Sequence, residues 1–173
     1  MKHFRRRKPN RLKGFDYSSP NQYFVTINTK NKVEHFGLIK DKEMVLNEFG
    51  QIAFQQWKWL EERYPYVKLH AFVVMPDHFH GIIQITNYGS KKIDNLDLNK
   101  NENGTSEKPI KIKSISELIG AFKTTSSKQI HLIGNKKFIW QRSFHDSIIR
   151  SYLAFFAISK YIKNNPRNWK KSK

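Results

Sequence analysis

An α+β sandwich, with one antiparallel sheet and helices on one sheet face, is the fold class the sequence predicts. Short β-branched and aromatic runs alternate with longer segments whose apolar residues recur at three- and four-residue steps, so strands and helices interleave. Two strand patterns follow one another across Pro76 and Asp77, which marks an antiparallel pair. A length of 173 residues suits a single domain over 1–173, with a real core and one insertion, and no internal repeat divides it.

The elements follow in order. Residues 1–14 form a basic arm in which Lys2, Arg5, Arg6, Arg7, Lys8, Arg11 and Lys13 show no apolar period. Such a run is either a solvated tail or a segment ordered by phosphates. "YFVTINT" at 23–29 alternates as a strand does. Between Lys42 and Tyr64 the residues Val45, Phe49, Ile52, Ala53, Trp57 and Leu60 trace the stripe of an amphipathic helix. "YVKLHAFVVM" at 66–75 is a second strand, and the chain turns from it into a third.

Composition changes at about residue 87. From there to about 110 the chain is rich in Asn, Lys, Ser and Gly, buries too little to order itself, and is expected to be a mobile loop. Ser114 and Glu117, at capping-box spacing, then open a helix bearing Ile115, Leu118, Ile119 and Phe122 on helical steps, with Lys123 and Lys128. "KFIWQRSFHDSIIR" reads as a short strand with a polar interruption, and Ser151 to Asn164 as a third helix stopped by Pro166.

Thirty-two Lys and Arg against 14 Asp and Glu give a formal charge of +18, accompanied by 14% aromatic residues. A surface so charged repels itself unless a polyanion shares it, and nucleic acid is the natural partner. No run reaches the ~18 apolar residues of a membrane span, and "MKHFRRRKPNRLKGF" lacks an apolar signal segment, so a cytoplasmic protein without a membrane partner is expected. The absence of cysteine excludes disulfides, thiolate zinc sites and thiol nucleophiles. Covalent chemistry is left to Ser, Thr, Tyr, Lys, His or a carboxylate.

The segment "MPDHFHGIIQI" at 75–85 concentrates the chemical interest. On a strand, His78 and His80 share one face while Phe79, Ile83 and Ile85 share the other. Two imidazoles about 6.6 Å apart along the backbone can converge on one divalent ion, or can be half-exposed structural histidines. Tyr161 and Asn165 are four residues apart, which sets a phenol and an amide side by side on a helix. A boundary tyrosine and a helix C-cap before a proline are the plainer readings of that pair. His145 and Asp146, adjacent on a strand, point to opposite faces and are read as structural or DNA-facing, and His70 as structural or supporting.

"MPDHFHGIIQI" resembles the histidine, hydrophobic, histidine signature of the IS200-like, REP-associated tyrosine transposase family of single-stranded DNA nucleases. "RLKGFDYSSPNQYFVTINT", "ISELIGAFKTTSSKQI", "WQRSFHDSIIR" and "ISKYIKNNPRNW" are similar in type and order to its first strand, middle helix, last strand and tyrosine-bearing helix. The resemblance spans the chain outside residues 87 to 110. It implies a ferredoxin-like sandwich in which His78, His80 and Asn165 hold Mg²⁺ or Mn²⁺ and Tyr161 is the nucleophile. Attack on DNA phosphorus would give a 5′-phosphotyrosine and a free 3′-hydroxyl, and reversal on another strand would make the reaction a transfer, hence DNA transposition on hairpin-forming DNA. Tyr152 is the rival phenol. Arg5, Arg6, Arg7, Lys8, Arg11, Lys13, Lys123, Arg142 and Arg150 are the expected contacts to single-stranded or hairpin DNA. A non-catalytic single-strand binding module and a metal-dependent hydrolase using water are the competing readings, and monomer and homodimer both stay open.

Overall fold

The computed structural model describes residues 12–88 and 110–169. The basic arm as far as Arg11 and nearly all of the expected loop lie outside the described residues.

Strand β1 (Asn21–Asn28) buries Tyr23, Val25 and Ile27 on one face and is the inner strand to which the sheet is tied. It pairs antiparallel with β5 (His78–Ile85) on one side and with β6 (His145–Ile149) on the other, while β4 (Val67–Val74) pairs antiparallel with the outer edge of β5. The order β4-β5-β1-β6 is reached by two crossovers, each through a helix and each skipping one strand. That βαββαβ connectivity is the ferredoxin-like sandwich.

The crossover helices are α1 (Glu48–Arg63) and α2 (Ile115–Leu132), packed against one another on one sheet face. The Asn47 side chain caps α1 by accepting from the Gly50 amide, and Ser114 with Glu117 forms the expected capping box of α2. Between sheet and helices lies an aromatic core. Trp57 meets Phe79 at 4.5 Å and Phe122 at 5.3 Å between ring centroids, and Phe122 meets Trp140 at 5.4 Å. Gly81 lets β5 approach this core, because a Cβ built there would stand 2.8 Å from the Trp57 ring.

Two expected features differ. The helix predicted from Lys42 begins at Glu48, because 37–46 is a hairpin of β2 (Gly37–Lys40) and β3 (Glu43–Leu46). Asp41 (φ 51°) and Lys42 (φ 64°) make its left-handed turn, and Val45 points to solvent. Helices on one face describes α1 and α2; α3 (Tyr152–Asn164), capped by Ser151, lies across the opposite face over Ile82 and Ile149. The polar interruption before β6 is real: Trp140 makes an isolated bridge to Thr29, and the ladder starts only at His145.

In β4 the register slips between Leu69 and Phe72. Such a bulge lets His70 and Ala71 both face the side of α3, where they line a cavity beneath Phe155. No helix among the described residues is long and apolar enough to cross a membrane.

Candidate active site

Alternation along β5 sends Phe79 and Ile83 into the aromatic core and leaves His78, His80 and Ile82 on the face beneath α3. Register then decides the neighbours. Thr26 is the cross-strand partner of His80 and Asn28 that of His78. The Thr26 hydroxyl meets His80 Nδ1 at 2.9 Å, and the Tyr161 hydroxyl, brought in by α3, lies 3.3 Å from His80 Nε2. Taking the Nδ1–H tautomer, the ring donates to Thr26 and its Nε2 lone pair accepts from the phenol.

His80 is buried, 5% exposed. Burial first, and the neighbouring His78 second, push its pKa down to about 3 against the opposing pull of Asp77. The imidazole is therefore neutral at neutral pH, as a metal ligand or hydrogen-bond acceptor must be. His78 Nδ1 is held closely by the Asp77 carboxylate, which selects the Nδ1–H tautomer and leaves Nε2 open. The backbone carbonyl of Asp77 is itself fixed by the amide and hydroxyl of Thr29. Both rings thus engage a partner through Nδ1, with centroids 4.6 Å apart.

Two neutral imidazole nitrogens on one face are donors of the type a divalent ion accepts, and an ion held there would need further donors. Among the described residues no cluster of three His, Cys, Asp or Glu is suited to a metal. Asn165 is 9% exposed at the junction of α3 with the 3₁₀ turn Pro166–Asn168, and its side chain makes no cap bond. Although a proline follows, Asn165 keeps helical geometry (φ −57°, ψ −44°), so the chain turns onward at the end of α3 instead of extending. That turn brings Trp169 to 5.7 Å from the His78 ring.

Tyr161 is 49% exposed, with its ring edge-on to Phe24 at 6.1 Å and near His80 at 5.3 Å. Tyr152, the rival phenol, sits at the far end of α3 against Phe156. The structure therefore brings His78, His80 and Tyr161 together and leaves Tyr152 apart. His145 is the partner of Thr26 on the same sheet face, whereas Asp146 opposes Val25, as strand alternation requires. His70 bonds Gln84 Oε1 at 2.8 Å and meets the Phe155 ring at 5.2 Å, a bracing role under α3.

The expected DNA contacts divide. Arg5, Arg6, Arg7, Lys8 and Arg11 lie outside the described residues, while Lys13, Arg142 and Arg150 are exposed. Lys123 is different: its ammonium donates to the carbonyls of Gln141 at 2.8 Å and of Arg142 and Ser143 at 3.3 Å, and burial lowers its pKa to about 8. Its charge is committed to shaping the loop before β6. Thr26, Asp77 and Trp169 were not among the sequence candidates. The Asp next to His78 was the one local signal, since Thr26 and Trp169 reach the site through register and chain reversal.

No protein-family model matches the chain. It is 34% identical over 168 residues, 94% of its own length and 89% of the relative's, to an uncharacterized protein of Haemophilus influenzae. A solved structure of a REP-associated tyrosine transposase bound to a REP hairpin shares the fold, with a TM-score of 0.53 and 18% identity over 97% of this chain and 74% of that one.

Proposed function

We propose that this chain, which belongs to the same family as the Haemophilus influenzae protein, is a metal-dependent single-stranded DNA endonuclease and strand transferase working through a phosphotyrosine at Tyr161. The observation that carries the reading is the convergence of a half-exposed phenol and two Nδ1-anchored histidines on one face, with Tyr161 Oη 3.3 Å from His80 Nε2. The fold shared with the hairpin-bound transposase supports DNA as substrate, including hairpin DNA. So does the charge of +18.

His78 and His80, through Nε2, and Asn165 would hold Mg²⁺ or Mn²⁺. The ion, when bound, supplies Lewis-acid polarisation of the scissile phosphate. The chain's own residues do the rest. Thr26 and Asp77 fix both imidazole orientations before substrate arrives, so that little reorganisation is needed on binding. The Tyr161 hydroxyl, 3.3 Å from His80 Nε2 and on a half-exposed side chain, is placed to turn towards a phosphate bound at the site. Its half exposure gives the phenol proton a path to water. Attack by the phenolic oxygen on phosphorus breaks the bond to the 3′ oxygen, conserving the ester as a 5′-phosphotyrosine that a 3′-hydroxyl can later reverse.

A stacking-only binding module fits less well, because the sheet face such a module leaves open for bases is covered here by α3.

Incubation with Mn²⁺ and a single-stranded hairpin oligonucleotide should give an adduct that survives denaturant. Tryptic mass spectrometry should place it on Tyr161, through a 5′ phosphate. Tyr161→Phe should retain the fold and DNA binding yet form no adduct, and His80→Ala should abolish cleavage. An adduct on Tyr152, or undiminished cleavage by Tyr161→Phe, overturns the assignment.

A further inference from the structure

Each imidazole of the site is gripped along an edge and across a face. At the Nδ1 edge, the Thr26 hydroxyl meets His80 at 2.9 Å and the Asp77 carboxylate holds His78. Across the face, Phe24 lies 5.5 Å from His80 between ring centroids, with 27° between the planes. Trp169 lies 5.7 Å from His78, with 33° between the planes. Both pairs have the offset, shallow-angle geometry in which aromatic rings attract. The two imidazoles stand at 75° to each other, so neither lies flat against the other.

The flat neighbours arrive by different routes. Phe24 is two residues before Thr26 on β1 and opposes Ile82, which makes it a diagonal neighbour of His80 on the sheet face beneath α3. Trp169 comes from the turn after α3: its amide donates to the Pro166 carbonyl at 3.3 Å, and β3 lies against that turn. The hairpin containing β3 is hung in turn from the residue before Asp77. The amides of His35 and Phe36, which lead into the hairpin, both donate to the Pro76 carbonyl, at 2.8 and 3.1 Å. Trp169 and His78 are thus referred to one piece of backbone.

A hydrogen bond at Nδ1 decides which edge of an imidazole turns inward, but a rotatable hydroxyl or carboxylate follows the ring as its plane tilts. The last torsion of a histidine is broad and sets no sharp tilt of its own. Because the Nε2 lone pair lies in the ring plane, the tilt decides where it points. We infer that Phe24 and Trp169 are positioning residues: they set the planes of His80 and His78 and so confine the directions of the two Nε2 lone pairs. The inference rests on the metal-binding reading of the pair and adds to it the source of the ring orientation. The grips are unequal. His80 is buried and has Tyr161 beside it as well, whereas the His78 side chain keeps 13% exposure, so His78 depends more on its flat neighbour.

The test uses the full chain, first free of metal and then titrated with Mn²⁺. In the metal-free protein, NMR relaxation of the imidazole C–H bonds reports the order of each ring. Trp169→Leu keeps an apolar side chain but not a flat one, and should loosen His78 alone. Phe24→Leu should loosen His80 alone. Trp169→Phe, which restores a flat face, should return His78 to its wild-type order. In the titration, Trp169→Leu should raise the Kd for Mn²⁺ by about fivefold, the worth of one aromatic pair. Phe24→Leu should raise it by less, and Trp169→Phe should leave it near the wild-type value. Both rings loosening together in either leucine variant, or neither ring loosening in its own, overturns the inference. So does an equal loss of Mn²⁺ affinity in Trp169→Leu and Trp169→Phe, which would make bulk rather than flatness the property used. Ring-selective loosening in a protein whose wild type binds no Mn²⁺ would uphold the positioning and sink the metal reading. Mn²⁺ binding that is lost in His78→Ala but indifferent to both leucine variants would do the reverse.

Discussion

The two faces of the sheet are built to different standards. Towards α1 and α2 the side chains of Trp57, Phe79 and Phe122 are fully buried and in mutual ring contact, and Trp140 extends the cluster. Towards α3 the buried apolar cluster among the described residues is Ile82, Ile149 and Ile162, with Phe24, Phe155 and Ile158 half-covered around it. Ile162 is the residue of α3 that is fully buried, while Leu153 is 81% and Tyr152 73% exposed. Cohesion and chemistry are thereby separated by the thickness of one strand. The face that carries His78, His80 and Tyr161 is free of the need to hold the domain together, and the helix that carries Tyr161 is lightly attached.

The sharpest way to break this comparison is to cut into each face. Phe79→Ala should cost about 3–5 kcal/mol of stability, since it empties the centre of the aromatic core. Leu153→Ala, on the outer surface of α3, should change stability by less than about 0.5 kcal/mol. Urea unfolding measures both, and equal losses would show that the domain leans on α3 as heavily as on its core.

A pH titration of stability separates the faces through their histidines. His80 has a folded pKa pushed down to about 3, so between that value and the ordinary 6.5 the unfolded chain binds a proton that the folded one refuses. In metal-free buffer stability should be fully present above about pH 6.5 and fall on acidification, by at most about 1.4 kcal/mol per pH unit for this group. Burial also lowers the pKa of His35, which adds in the same direction. His80→Asn should flatten the curve; an unchanged slope would mean that the imidazole is not desolvated.

The smallest effect is one of local motion. Amides in α3 should exchange with solvent faster than those in α1 and α2, because less apolar surface must be uncovered to release the helix. Uniform protection across the three helices would contradict the light attachment of α3.

How much of this was legible in sequence depended on whether a feature was local. Strands β1, β4 and β5 and helix α2 carry their own alternation or caps, and the capping box expected at Ser114 and Glu117 is the one observed at the start of α2. The hairpin of 37–46 was hidden because Val45 happens to fall in step with the stripe of α1. Its turn depends on left-handed Asp41 and Lys42, residue types that give only a weak cue for such geometry. The sequence marked α3 as a helix stopped by Pro166 and was silent on which sheet face it would cover. That His78 and His80 share one sheet face was readable from strand alternation, and Tyr161 was singled out by resemblance. Thr26 was not, since it meets His80 by the register of strands 54 residues apart. The bonds of Lys123 to three carbonyls were not legible, because a lysine on a helix looks alike in sequence whatever its amine meets.

Gly81 directly follows His80 in β5, and it works as a key to alignment. Sliding β5 by one position would bring His80 or Ile82 to the place where Trp57 leaves no room for even a Cβ, at 2.8 Å. Because a slip of one residue inverts every side chain of a strand, the indole on the far side opposes the slip that would turn the histidines into the aromatic core and Phe79 towards α3. The bareness of position 81 is thus what tells the chain which way up the histidine-bearing strand must go.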